Sequence, residues 1–515
     1  MLFIILVACV LLLVYLWYQF KFTYWSSRGV YGPKPVFPYG NIKDVITRKK
    51  QFFQPYIDIY AEYKHLPYVG LYCFHRPVLC VHDLDLVQNI LIKDFDHFQS
   101  RGTYSGGDGD RLAANLFNMH GAQWKKLRLK ITSNFTPGRL KIMYPMMESI
   151  ASEARDYAGK LGANGESVDF SDMYGRYAME IIARVGFGVE CNGFKTATSE
   201  FYDRGREYFD PTSLYWTIIR AFAFIAPDAF DKLKLRRIST RIEDFFYGLV
   251  KQTVEHRQQY SYKRTDFLQG MIDLKNSRDA NVTKITNEII ICPHDFPFSL
   301  VDIAANTMLY MVAGYETSAT TGQFAAYYLA LNPRVQSKAR EEVLRVLQKY
   351  NGECTYEAQN EMVYLNMVLE ETMRMNPSMR AIFRRCTKEY KMPNSDLVIE
   401  KGTMLFIPVE GIQMNPDIFP EPEKFDPERF NPQNRTTIQQ CHWMPFGEGP
   451  RKCLGLRQGY IQSKLALVKI LERFELLADE KTDIPMRFKT SSLVPQAANG
   501  VWLKLRKLDD TKTVS

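Results

Sequence analysis

Polar and apolar positions divide this chain first at its beginning. Residues 1–20, Met1 to Phe20, carry no charged side chain and are dominated by Leu, Ile, Val and aromatics. About twenty apolar residues suffice to cross a bilayer as a helix. No small-residue cleavage site follows, so the pattern predicts a retained signal anchor rather than a cleaved leader. Tyr15, Trp17, Tyr18, Tyr24 and Trp25 crowd its far end as an interfacial belt would, and Lys21, Arg28 and Lys34 follow. Positive charge on that flank puts the main body in the cytosol. Gly32-Pro33-Lys34-Pro35, Pro38 and Gly40 then predict a stiff, extended stretch that cannot continue the helix.

Further along, the apolar runs Tyr68–Phe74 and Val78–His82 flank His75-Arg76-Pro77 and predict a β-hairpin. Residues 140–260 are mostly helical by pattern, broken by Pro211, Pro227 and glycines. Phe222, Phe224 and Phe230 flank Pro227 and read as core, with a membrane-dipping or substrate-facing surface as the alternative. Residues 278–297 read as a loop. Ser299-Leu-Val-Asp302 is a capping-box-like start, with Asp in place of the usual Glu or Gln. The apolar pattern then runs to about Leu331 and stops at Asn332-Pro333. A helix of that length crosses a whole domain at about 1.5 Å per residue. Leu456 to Glu472 forms another helix, with Tyr460, Leu465, Leu467, Val468 and Leu471 as its apolar stripe. Asn499-Gly500 between apolar runs is a hairpin turn signal.

Composition narrows the class. The 515 residues are 46% hydrophobic, ample for a large core, and 66 basic against 57 acidic side chains leave a net charge of +9. No charge run is long enough to suggest nucleic acid; an acidic partner or an anionic membrane is the more economical target. Nine scattered cysteines without a Cys-x-x-Cys pair, and eight histidines without His-Glu-x-x-His, argue against a disulfide framework or a zinc site. The sequons at Asn134, Asn281 and Asn434 are expected to stay bare in the cytosol.

The chemistry concentrates in Pro445–Gly455, Pro-Phe-Gly-Glu-Gly-Pro-Arg-Lys-Cys-Leu-Gly. Three glycines and two prolines pin the backbone around Cys453, close to a helix N-terminus and beside Arg451 and Lys452. Exposed N–H groups and nearby cations both favour a thiolate, which makes Cys453 a candidate iron ligand. A reduced, buried turn cysteine is the alternative. Mid-way along the long helix, Ala313-Gly314-Tyr315-Glu316-Thr317-Ser318 puts a glycine and a polar triplet where an apolar helix is weakened by them, by about 1 kcal/mol for the glycine. Ala313 and Thr317 share a face, both small; Thr317 can relay a proton and Glu316 supply one. Alternatively, the threonine back-bonds to a carbonyl and the glutamate reaches solvent.

Phe446-Gly-x-Gly449-x-Arg451-x-Cys453-x-Gly455 resembles the haem-ligand signature of the cytochrome P-450 monooxygenases. Six fixed positions arise by chance in roughly one chain of this length in 10⁵. Five separated motifs follow the family's order, and the chain most resembles insect microsomal members of the xenobiotic-metabolising group. The resemblance implies a mainly α fold with a small β-rich region. Its parts would be a transmembrane anchor at 1–20, a linker and proline-rich hinge at 21–41, and a catalytic domain at 42–515. It implies haem b held by the Cys453 thiolate, which pushes electron density onto the iron and favours O–O cleavage. Ala313 would lie against the haem, and Glu316 and Thr317 would form the oxygen-activating pair. Trp124 and Arg128, four apart on one helix face, would meet the haem propionates, as would Arg451 and Arg384, with Arg385 as the neighbouring competitor. The lysines beside Arg128 would receive the reductase. The glycine-rich loop 101–110 would cover the substrate cavity, and 492–498 would be a tip facing the substrate. Glu371, Arg374 and Arg429 would form a structural lock behind the cysteine loop.

The partners implied are an NADPH-dependent cytochrome P-450 reductase, cytochrome b5 as an optional second donor, the endoplasmic reticulum membrane and a small lipophilic substrate, with no nucleic acid. The first rival is a haem-thiolate isomerase or dehydratase acting on a peroxide without reductase, though such relatives usually lack the Glu316-Thr317 pair; the second is a non-enzymatic membrane-anchored protein that keeps the fold but not the haem. Two departures from the family stand out: Gln458 where Phe is usual, and no His in Ile412–Pro416.

Overall fold

Ser299 starts the element around which the chain is arranged. Its hydroxyl accepts from the Asp302 N–H at 3.2 Å while the Asp302 carboxylate accepts from the Ser299 N–H at 2.8 Å, a complete capping box. The 32-residue helix Leu300–Leu331 that follows packs against Phe170–Ile181, Thr240–Gln259, Val363–Met375 and Leu456–Arg473. In this computed structural model residues 1–107, 109–196, 199–209, 214–276 and 298–508 are described, with the backbone of 283–284 and 289–290.

The long helix belongs to two cores. Ile303, Met308 and Met311 pack with Phe187, Phe246 and Met271. Ala319, Phe324 and Leu329 pack with Leu369, Leu465 and Val468. Each fully buried Leu or Phe contributes about 1.5–3 kcal/mol relative to exposure. Between the two stretches lie Val312 to Ser318, so the polar interruption sits at the seam between the cores.

The four-stranded sheet runs in the order Tyr68–Cys73, Arg76–Val81, Met404–Ile407, Ile382–Arg385. The predicted hairpin is present, but its turn is Phe74-His75, with Phe74 at φ +54°; Arg76 and Pro77 are already strand. Pro77 has no N–H to give, and it precedes the Val78–Cys80 stretch that pairs in parallel with Met404–Phe406. A second sheet joins Phe474–Ala478, Trp502–Lys507 and Ser167–Asp169. Asn499-Gly500 is not a hairpin apex. Gly500, at φ +81°, passes close to the Asp169 carboxylate and leads into the last strand. The antiparallel return lies earlier, with Phe488 bridged to Ala497 and the Ala498 N–H donating to the Arg487 carbonyl at 2.7 Å.

At the N-terminus, Leu2–Lys21 is a 20-residue apolar helix with no buried residue, long enough to cross a membrane. Trp25 does not join its aromatic belt. Trp25 is buried because its indole N–H finds the Leu71 carbonyl at 2.9 Å and its ring covers Gly70. Residues 21–41 are therefore docked on the first strand rather than free: Gly40 bridges both Val36 and Cys73.

Between 140 and 260, helices occupy Pro137–Leu161, Phe170–Ile181, Glu200–Phe209, Leu214–Ile225, Pro227–Lys232 and Thr240–Gln259. Pro227 opens its helix at the first turn, where its missing N–H costs nothing. Phe230 is core; Phe222 and Phe224 are half-buried against core clusters. The Pro211 break lies outside the described residues. So does the loop at 278–297, with the Asn281 sequon, apart from the short pair Thr283–Lys284 with Ile289–Ile290. Of the other sequons, Asn134 is buried and Asn434 is exposed.

Candidate active site

Cys453 lies three residues before the helix Leu456–Arg473, whose N-cap is Gly455. Its N–H donates to the Phe446 carbonyl at 2.8 Å, closing the loop. Gly449 is required twice over. Its φ is +73°, and a Cβ there would stand 1.9 Å from the Leu91 carbonyl oxygen. Cys453 keeps solvent-accessible surface although protein surrounds it, so its sulfur lines an internal hollow. Ala313 is likewise exposed in the middle of an otherwise buried helix, with Thr317 half-buried beside it.

Burial is the largest influence on the Cys453 thiol and raises its pKa; the Gly455 N–H, then Arg128 and Arg101, pull it back. The net shift is upward, against the expectation from the flanking cations. Burial outweighs the charges, and the two flanking cations are engaged elsewhere. Lys452 pairs with Glu448 at 2.8 Å, and Arg451 turns away to the Gln99 and Met119 carbonyls, both at 2.6 Å. Coordination to a cation is what would drive such a thiol to its thiolate.

Four guanidiniums converge near the cysteine: Arg101, Arg128, Arg384 and Arg451. Burial is the main cause of a lowered pKa in each. It brings Arg384 down to about 10 and, helped by Arg384 and Arg128, Arg451 to about 9. Among the described residues their hydrogen bonds go to carbonyls alone. Arg101 donates to Phe117 and Arg451, Arg128 to Lys452 at 2.8 Å, and Arg384 to Phe383 at 2.8 Å. Among the described residues the buried Arg384 Nε has no partner. Trp124 is buried, with the Arg451 guanidinium 4.3 Å from its ring centre. Arg385 points the other way and holds Asp228 bidentately at 2.9 and 2.5 Å. Arg101 carries no sequence signature: it sits at the edge of a glycine-rich loop, with no periodicity to place it.

On the long helix, the Thr317 hydroxyl donates to the Ala313 carbonyl at 2.6 Å, the back-bond of a helical threonine. Glu316 does not reach solvent; it is 9% exposed and accepts from the Gln496 amide at 2.5 Å.

Behind the loop, Glu371 and Arg374 are fully buried and paired through two bonds of 2.7 and 2.9 Å, with Arg429 Nε 3.4 Å from Glu371. Gln413 carries this triad to the cysteine loop. Its amide donates to the Met373 and Arg374 carbonyls, and its Oε1 accepts from the Met444 N–H at 2.8 Å, one residue before Pro445. Gln413 stands in the segment noted for lacking a His. Gln458, the other departure, is buried and donates to the Tyr310 hydroxyl of the long helix.

A sulfur ligand in an internal hollow, a small-residue helix face, and two buried and two half-buried guanidiniums with no acid partner among the described residues fit a flat, metal-bearing, doubly anionic cofactor. The site is that of a haem-thiolate oxidoreductase. A cytochrome P-450 family profile matches residues 30–503, and this chain belongs to that family. It is 35% identical to cytochrome P-450 6k1 of Blattella germanica over 98% of this chain and 97% of the relative. It is also 35% identical to the probable cytochrome P-450 6a14 of Drosophila melanogaster, over 98% of this chain and 99% of that relative. The chain is thus a haem b monooxygenase, served by a redox partner and acting on lipophilic substrates.

Proposed function

We propose that this chain is anchored in the endoplasmic reticulum by residues 1–20, with its catalytic domain in the cytosol. There it oxidises a small lipophilic xenobiotic, hormone or fatty acid with electrons from an NADPH-dependent flavin reductase, cytochrome b5 serving as an optional second donor. The observation that carries the cofactor's placement is the four-guanidinium cluster with its unpartnered Arg384 Nε. Two carboxylates there would satisfy donors that now reach only carbonyls. Cys453 would ligate the iron, and Ala313 would lie over the opposite face. When bound, haem supplies the oxygen chemistry: one atom of dioxygen enters the substrate and the other leaves as water.

The chain's own residues bind, shield and move protons. Glu316 passes a proton to the Thr317 hydroxyl once that group leaves the Ala313 carbonyl. Phe117, Phe224 and Phe383 cluster around the strand that bears Arg384 and favour a lipophilic substrate. Lys125 and Arg457 are exposed beside the cysteine loop and suit an acidic flavoprotein. The exposed apolar helix supports the anchor.

Arg384→Leu is expected to speed haem loss about ten-fold, since charged hydrogen bonds are worth about 1.5–3 kcal/mol each. Arg385→Leu is expected to leave the rate within about two-fold, as exposed pairs are weak. Transfer of haem to apomyoglobin reads both; equal rates would contradict the assignment.

The function itself is tested with the haem-loaded chain and reductase in lipid vesicles. Hormones, fatty acids and plant toxins that shift the oxidised spectrum are incubated with isotopically labelled dioxygen. Label is expected in the product only with NADPH and reductase; full-rate turnover of a peroxide without either would favour an isomerase or dehydratase.

A further inference from the structure

Gln458, which stands where the family usually has Phe, is the third residue of the helix Leu456–Arg473, whose N-cap is Gly455. A glutamine at that position ordinarily turns back and accepts from the N-cap backbone N–H. In this chain it does not. The Gly455 N–H acts on the Cys453 sulfur, and the Gln458 amide donates to the Tyr310 hydroxyl on the long helix. Gln458 is buried, and among the described residues its Oε1 has no partner. One helical turn therefore carries a donor committed to sulfur and, three residues on, a buried acceptor with nothing to accept. Tyr310 is a fixed post. Its ring stacks on Phe267 with 4.5 Å between centres, and a Cβ on Gly186 would stand 2.8 Å from it.

We propose that Tyr310 is a positioning residue for the iron ligand: its hydroxyl holds the Gln458 side chain away from the Gly455 N–H and so reserves that N–H for the Cys453 sulfur. The inference rests on the haem-thiolate reading above. With Phe at position 458 no side chain competes for the N–H. The glutamine of this chain can compete, and the long helix rather than the cysteine loop decides the outcome. A buried acceptor left unsatisfied is costly, so Gln458 Oε1 takes the N–H once the tether to Tyr310 is cut. Hydrogen bonds to a coordinating sulfur draw electron density from it and help to set the reduction potential. Losing this one leaves the sulfur a stronger donor.

The test compares three haem-loaded, full-length variants with the wild type. Tyr310→Phe removes one hydroxyl and keeps the stacked ring. It is expected to shift the one-electron reduction equilibrium toward the oxidised form about three- to ten-fold, a midpoint potential lower by about 30–60 mV. Its iron–sulfur stretching frequency is expected to rise. Gln458→Leu breaks the same bond but removes the competitor, and both quantities are expected to stay at wild-type values. The double variant, Tyr310→Phe with Gln458→Leu, is expected to return to wild-type values too. A bond with a merely structural role would move the two single variants alike. Equal shifts in the single variants, no shift in Tyr310→Phe, or a shift that survives in the double variant overturns the assignment. Both quantities are read from the loaded fraction alone, so low haem content does not hide the result. A wild-type chain without the thiolate carbon-monoxide band overturns the haem-thiolate reading itself, and the assignment with it.

Discussion

Arg374→Ala is expected to destabilise the folded chain by about 3–5 kcal/mol, because it strips the partner from a buried carboxylate. Glu371 would keep one N–H donor, that of Asp426 at 2.9 Å, and the more distant Arg429. Domains hold only about 5–15 kcal/mol in total, so the loss approaches the whole reserve. Arg374 also donates to the Gln413 carbonyl at 2.9 Å and the Pro422 carbonyl at 2.6 Å. Its removal therefore loosens the route through Gln413 to Met444 and the cysteine loop. Little haem-loaded protein should be recovered. Arg374→Lys keeps the charge but loses the two-pronged geometry, and should restore only part of the stability. Denaturant midpoints and haem content measure both; wild-type values for the alanine variant would remove the triad from its role as lock.

Thr317→Ala is expected to change turnover far more than stability. The hydroxyl it removes now back-bonds within the helix, a contact that contributes little to the fold. As a proton donor, however, a positioned group contributes about 10²–10⁴ in rate. NADPH consumption should persist while product falls at least about ten-fold, with the missing electrons recovered as hydrogen peroxide. Thr317→Ser keeps a hydroxyl and should recover most of the coupling. Unchanged product per NADPH in the alanine variant would count against the relay.

Features with a local signature were legible from the sequence. The capping box at Ser299, the apolar run to Leu331 and the glycine-bound cysteine loop each carry their geometry in consecutive residues. Glu371 and Arg374 were legible as a pair because they are one helical turn apart. What the chain hides are contacts made across long sequence distance. Gln496 reaches Glu316 across 180 residues, and Gln413 reaches Met444 across 31 with no motif to mark either. Arg101 is one cation in a flexible-looking loop until the fold sets Arg451 and Arg384 beside it. Trp25 looked interfacial because aromatic density alone cannot tell a membrane belt from a ring that caps Gly70. The sign of the Cys453 shift is hidden because burial, which adjacent residues do not reveal, outweighs the charges. The charges that pull the pKa back come from Arg128 and Arg101, not from the cations adjacent in sequence.

The central claim is that Cys453 holds haem iron as a thiolate. The reduced carbon-monoxide difference spectrum of the haem-loaded full chain tests it most directly, read beside Cys453→Ser. The wild-type chain should give the thiolate-type Soret band, and the serine variant should lose it while still binding haem through its arginines. A thiolate band that survives in Cys453→Ser, or a wild-type spectrum without one, would contradict the assignment.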